Sequence, residues 1–139
     1  RNSPQDTPLL LKISPDISEN ELEKIIEISL DLEIDGWILT NTSKELGTDL
    51  GFPTEGGVSG LPLAQKSKDL LRHTISVLGS SRQGKLIVST GGIITPEDVL
   101  ERLTMGADLV QVYSALILNG PLFFRQVAEK ASLDLNIKS

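Results

Sequence analysis

Leu86-Ile87-Val88-Ser89-Thr90-Gly91-Gly92-Ile93-Ile94-Thr95-Pro96-Glu97-Asp98 holds a strand, a glycine turn and a helix start in succession. Leu86–Val88 is a continuous apolar run, the pattern of a strand buried on both faces. Gly91-Gly92 ends it. Thr95 then takes the N-cap position, Pro96 the first helical position, and Glu97 and Asp98 put acids in the first turn. The spacing of Val99, Leu100 and Leu103 predicts an apolar stripe on that helix, which should end near Gly106.

The same order recurs on both sides. Toward the N-terminus, residues 9–13 form a short apolar strand closed by Ser14-Pro15-Asp16. Ser18 and Glu21 fit a capping box. Leu22, Ile25, Ile26 and Leu30 follow at helical spacing, which predicts a helix over 19–32. Ile34-Asp35-Gly36 turns into a second strand, Trp37–Thr40, ending at Asn41-Thr42. Residues 43–62 are a long polar loop rich in glycine. A helix over about 63–78 carries Leu70, Leu71, Thr74 and Val77 as its stripe. Beyond the opening stretch, Leu109–Val112 is a fourth strand ending at Tyr113-Ser114, and a last helix covers about 122–131.

Four βα units with apolar strands imply an α/β fold with a parallel sheet covered by helices. Two similar βαβα quarters in tandem make half of a (β/α)8 TIM barrel. A whole barrel takes roughly 250 residues, so residues 1–139 are expected to be an incomplete domain. The glycine and polar loops after the last two strands match the phosphate loops such barrels build after strands seven and eight, which makes this the C-terminal half. A small doubly wound sheet of four strands is the alternative. The chain opens on Arg1, in a polar, turn-like stretch, and is expected to begin inside a longer protein.

Composition narrows the function. The formal charge is −6, without a basic run and with few aromatic residues. Nucleic-acid binding needs clustered Lys and Arg and is not expected. Cysteine is absent and His73 is the single histidine, which argues against a metal site. His73 itself reads as a surface or core residue. No apolar run approaches the roughly 18–20 residues of a membrane span.

In barrels of this kind the active site lies at the C-terminal ends of the strands. Those ends supply Lys12, then Thr40-Asn41-Thr42, then Ser89-Thr90-Gly91-Gly92, then Tyr113-Ser114. They are polar although the strands feeding them are apolar. Glycines at 91 and 92 let backbone N–H groups approach an anion, and the dipole of the following helix favours negative charge. Gly91-Gly92 can also be a plain turn. Lys12 is the only charge within an apolar strand. Either its head reaches solvent past the strand end, or it faces an anionic or electron-accepting cofactor. Thr40-Asn41-Thr42 suits a small polar ligand, and the glycines around Ser59 bring backbone toward one.

These segments carry a resemblance. Lys12-Ile13-Ser14-Pro15-Asp16, Ile34-Asp35-Gly36, Thr40-Asn41-Thr42, the run from Gly56 to Leu63, Gly91-Gly92-Ile93 and the run from Gly106 to Leu116 occur in the order found in class 2, quinone-dependent dihydroorotate dehydrogenases. The chain resembles their C-terminal half over nearly its whole length. The resemblance implies an enzyme that oxidises dihydroorotate to orotate in pyrimidine biosynthesis through FMN, with a quinone as electron acceptor. It implies that Lys12 lies against the flavin, that Thr40 contacts it, and that Gly60, Gly91, Gly92, Tyr113 and Ser114 hold its ribityl phosphate. Asn41 and Thr42 would hold the pyrimidine. The catalytic base and the membrane-associating region belong to the N-terminal half, so this chain alone is expected to be inactive. The intact protein would sit peripherally on the cytoplasmic membrane of a bacterium, or on the inner mitochondrial membrane of a eukaryote. The family usually has Ala at Ser14 and Gly-Val at Ser89-Thr90, which puts side chains beside the phosphate loop. Two other readings fit the residues: another phosphate-binding barrel isomerase or synthase, and a non-enzymatic half-barrel that associates with itself.

Overall fold

The computed structural model describes residues 7–51 and 55–137. Of the turn-like opening expected for residues 1–8, residues 1–6 lie outside them. Four strands, β1 (Leu10–Ile13), β2 (Gly36–Leu39), β3 (Leu86–Thr90) and β4 (Leu109–Gln111), alternate with helices. The helices are α1 (Glu19–Asp31), α2 (Glu45–Asp49), α3 (Ala64–Leu78), α4 (Pro96–Thr104), α5 (Ser114–Asn119) and α6 (Leu122–Ile137). All strand pairs are parallel, in the order β1-β2-β3-β4. A doubly wound sheet reverses its strand order at a switch point, and this one does not. The architecture is half of an α/β barrel, four consecutive βα units.

The two expected helix starts are chemically complete. In α1 the Ser18 hydroxyl accepts from the Glu21 N–H, and the Glu21 carboxylate accepts from the Ser18 N–H. In α4, Thr95 and Asp98 make the same exchange. Each box satisfies backbone donors that a helix end otherwise leaves without partners.

The sheet has a packed face and an open one. Ile13, Trp37, Leu39 and Ile87 project toward α1 and α3, where they meet Leu22, Ile26, Leu70, Leu71 and Leu78. A second cluster joins Ile93, Val99, Ala115 and Phe123 around α4, α5 and α6. Alternation puts the intervening residues on the other face. There Lys12 stands in register with Ile38, Val88 and Leu109. Leu109 is 53% exposed on that face, as the inner lining of an open half-barrel must be.

Three expectations need correction. On α3 the buried stripe is Ser67, Leu70, Leu71, Thr74 and Leu78, while Val77 is exposed. On α4, Leu103 faces outward and Arg102 is buried beside Val99. A side chain three residues from Val99 lies on the same face, and there an arginine takes the inward position. The loop over 43–62 is also more structured than its composition suggests. It contains α2, and Leu61–Leu63 forms a 3-10 turn before α3. An antiparallel bridge between Ser43 and Val58 pinches its base. α5, in the segment after Tyr113, was not expected at all; six residues with only Ala115 buried carry too little periodicity to register. α6 runs further than 131.

Candidate functional site

Strand ends and loops meet in one cavity of about 370 Å3. Its lining contains Lys12, Thr40, Asn41, Thr42, Gly60, Gly91, Gly92, Tyr113 and Ser114. Every residue to which the resemblance gave a cofactor or substrate contact is therefore in one place, whereas Ser89 is not among the lining. Ser59, Leu63, Thr90, Ile93, Gln111 and Val112 complete it. Among the described residues no carboxylate lines it, although the chain carries 19 acidic residues against 13 basic ones. The local field therefore favours an anion more than the net charge of the chain would suggest.

Lys12 projects from the open face of β1 and is exposed. Its ammonium is not buried, so the question of a desolvated cation does not arise. Among the described residues nothing pairs with it. Thr40 is the opposite case. It is buried, its N–H donates to Thr90 O at 3.0 Å, and its hydroxyl donates to Ile13 O at 2.8 Å. Thr40 thus ties the ends of β1, β2 and β3 together, with its hydroxyl proton already used. Asn41 donates its N–H to Ile13 O at 2.8 Å and accepts from the Thr42 N–H through Oδ1 at 2.9 Å. Its side-chain amide donors remain open to a ligand.

The loop after β2 is fastened from several sides. Ser43 and Val58 exchange N–H···O bonds of 3.0 and 2.7 Å. A Cβ on Gly57 would fall 2.3 Å from Thr42 Oγ1, so only glycine allows that approach. Asp16 holds the start of the loop. Its carboxylate accepts from Ser43 Oγ at 2.6 Å, from the Lys44 N–H at 2.7 Å and from Lys66 Nζ at 2.7 Å. Burial alone would raise its pKa. The bonds from Lys66, Ser43, Lys44 and Glu45 outweigh that and hold it at about 2. Together these contacts deliver Ser59 and Gly60 to the cavity beside Ser114.

The anion-binding turn differs from the expected mechanism in one respect. The N–H groups of Ile94 and Thr95 donate to the Asp98 carboxylate. The start of α4 is therefore capped by its own acid, whose negative charge offsets the positive end of that helix. The available donors lie one step earlier. Among the described residues, the N–H groups of Gly92 and Ile93 have no partner. Gly92 has φ +70, and a Cβ there would stand 2.1 Å from Ala64 Cα. Close packing on α3 thus demands glycine independently of any ligand.

Ser89 and Thr90 face opposite ways. Thr90 lines the cavity, while Ser89 is buried and accepts from Arg102. Gln111, paired in register with Thr90, was missed as a lining residue, though a polar residue inside an apolar strand was a legible signal. His73 lies outside the cavity, 3.3 Å from the Glu23 carboxylate, in keeping with a structural role. Beside the cavity, Leu61, Ile94, Tyr113, Ile117 and Leu118 line an apolar depression.

A family model described as dihydroorotate dehydrogenase matches residues 2–134. Among curated relatives, the dihydroorotate dehydrogenase (quinone) of Clavibacter sepedonicus is 39% identical over 133 residues, covering 91% of this chain and 38% of that protein. The one from Pseudarthrobacter chlorophenolicus is 36% identical over 134 residues, covering 91% and 36%. Among solved structures, the ligand-free DHODH of Eimeria tenella superposes with a TM-score of 0.82 at 30% identity, covering 99% of this chain and 38% of that one. The chain spans little more than a third of the length of these relatives.

Proposed function

The chain belongs to the dihydroorotate dehydrogenase family, and we propose that it is the FMN-holding C-terminal half-barrel of a quinone-dependent member. The intact protein would oxidise dihydroorotate to orotate. The observation that carries this reading is a cavity at the ends of all four strands that, among the described residues, no carboxylate lines, with one unpaired lysine on its wall.

The residues fit the cofactor. Gly92 and Ile93 offer free N–H groups for a phosphate, and Gly60 and Ser114 face each other across the same end of the cavity, where a Cβ on Gly60 would lie 3.5 Å from Ser114 Oγ. Gly91 and Tyr113 complete that end. When bound, FMN supplies the ring that accepts hydride. Lys12 then places a positive charge where negative charge grows on the ring during reduction. Thr40 shapes the wall behind it. Asn41 and Thr42, exposed at the end of β2, hydrogen-bond the pyrimidine and orient it. The residue that removes the substrate proton is assigned to the N-terminal half, together with the region that attaches the protein to a membrane. That membrane is the cytoplasmic one in a bacterium and the inner mitochondrial one in a eukaryote. No described helix is long and apolar enough to cross a membrane.

An absorbance spectrum of the intact protein tests the reading. A flavin spectrum that bleaches on adding dihydroorotate and returns with a quinone is expected. A colourless protein that binds only a sugar phosphate would favour an isomerase or synthase instead.

A further inference from the structure

Arg102 is fully buried behind the Gly91-Gly92 turn. Its Nη2 lies 2.7 Å from Ser67 Oγ, 3.1 Å from Gly91 O and 3.1 Å from Ala64 O, and its Nη1 lies 3.3 Å from Ser89 Oγ. All four acceptors are neutral. Among the described residues no carboxylate accepts from this guanidinium, and its Nε has no partner. Burial pulls its pKa below the usual guanidinium value, and Glu101 and Asp98 on the same helix oppose that only from a distance. Arginine nonetheless stays charged in proteins. A buried cation without a counter-charge is costly to keep, so its presence here needs a reason.

The geometry of the turn supplies one. The Gly91 carbonyl is held from behind by Arg102 and by Ser67, whose hydroxyl donates to it at 2.8 Å. The Gly91–Gly92 peptide is trans, and in a trans peptide the N–H points opposite to the carbonyl. The Gly92 N–H therefore points away from Arg102, on the cavity side. At the start of α4 the Asp98 carboxylate accepts from the Ile94 and Thr95 N–H groups, and its negative charge offsets the positive end of that helix.

We propose that Arg102 is the positioning residue of the phosphate subsite: it clamps the Gly91–Gly92 peptide with its N–H toward the cavity, and from behind the loop it supplies the charge that a phosphate dianion meets. The proposal rests on the reading of the cavity as an FMN site. It also accounts for Ser67 and Ser89, which are buried hydroxyls serving the guanidinium.

The test uses the intact protein, freed of flavin and titrated with FMN and with riboflavin, which lacks the phosphate. Arg102→Met removes the charge at similar volume, and Arg102→Lys keeps it. Arg102→Met should lose about tenfold or more in FMN affinity, with riboflavin affinity little changed. Arg102→Lys should recover most of the preference for FMN. Equal losses for both flavins, or an unchanged FMN affinity in Arg102→Met, overturn the role of Arg102. Should Arg102→Met not fold, the wild type decides. A buried charge is screened little by salt, so the preference for FMN over riboflavin should persist at about 1 M salt, and its disappearance overturns the proposal. Wild-type protein that binds neither flavin overturns the cofactor reading itself.

Discussion

Asp16, just after β1, and Lys66, in the first turn of α3, meet at 2.7 Å. Fifty residues of chain separate them, and the contact closes the loop system on one side of the cavity. Lys66 also reaches the Glu45 carboxylate at 2.6 Å. Its own pKa is lowered by burial but raised more by these two acids.

Asp16 should dominate the acid stability of this half-barrel. Its pKa falls from 3.8 to about 2 on folding. A depressed folded pKa stabilises fully above the unfolded value and loses that stabilisation as pH falls through the folded one. The shift is worth about 2 kcal/mol. Denaturant unfolding of the intact protein should therefore weaken between about pH 4 and pH 2, and Asp16→Asn should flatten that limb while lowering stability at neutral pH. An acid limb unchanged in Asp16→Asn would refute the assignment.

Lys12→Ala should separate chemistry from stability. The side chain is exposed, so its removal should change stability by no more than about 0.5 kcal/mol. Flavin bleaching by dihydroorotate, followed by stopped flow, should slow by about tenfold or more. Normal bleaching kinetics would sink the role given to this lysine.

Gly92→Ala and Gly56→Ala should differ sharply. Both positions have positive φ, +70 and +97. At Gly92 the new Cβ would also strike the backbone of Ala64, whereas at Gly56 it meets nothing within 4 Å. The first should cost about 3 kcal/mol or more and the second about 1 kcal/mol. Thermal melts of both variants measure this, and equal losses would remove the packing argument.

The isolated 139-residue chain should not be well behaved. Its open face carries Leu109 at 53% exposure, and β1 and β4 are outer strands. Unpaired strand edges and apolar lining favour association. Size-exclusion chromatography should show aggregates or a disordered species. A discrete, well-folded dimer without flavin would instead support the self-associating half-barrel.

Much of this was legible in the residues. Apolar strands, one capping box, the Thr95-Pro96 helix start and the polar strand ends located the sheet, α1, α4 and most of the cavity lining, because each signal is local. What stayed hidden was tertiary. Arg102 resembles any solvated charge on an amphipathic helix until Ser67 and Ser89, from two other elements, surround it. Leu103 looked apolar enough for the interior and lost that place to Arg102. Asp98 was legible as a helix-start acid, but its effect on the α4 dipole depended on the turn that brings Ile94 N–H within reach. α2 and the Ser43–Val58 bridge are set by Asp16, a residue from another loop.

The strand order has a consequence for synthesis. Each strand after β1 pairs with the one before it in the chain, so each later unit leaving the ribosome finds its neighbour already made. Contacts of short sequence separation form quickly, and domains assemble as they emerge. A nascent chain stopped after α3 would hold β1 and β2 but lack β3, β4 and the last three helices, and with them one side of the cavity.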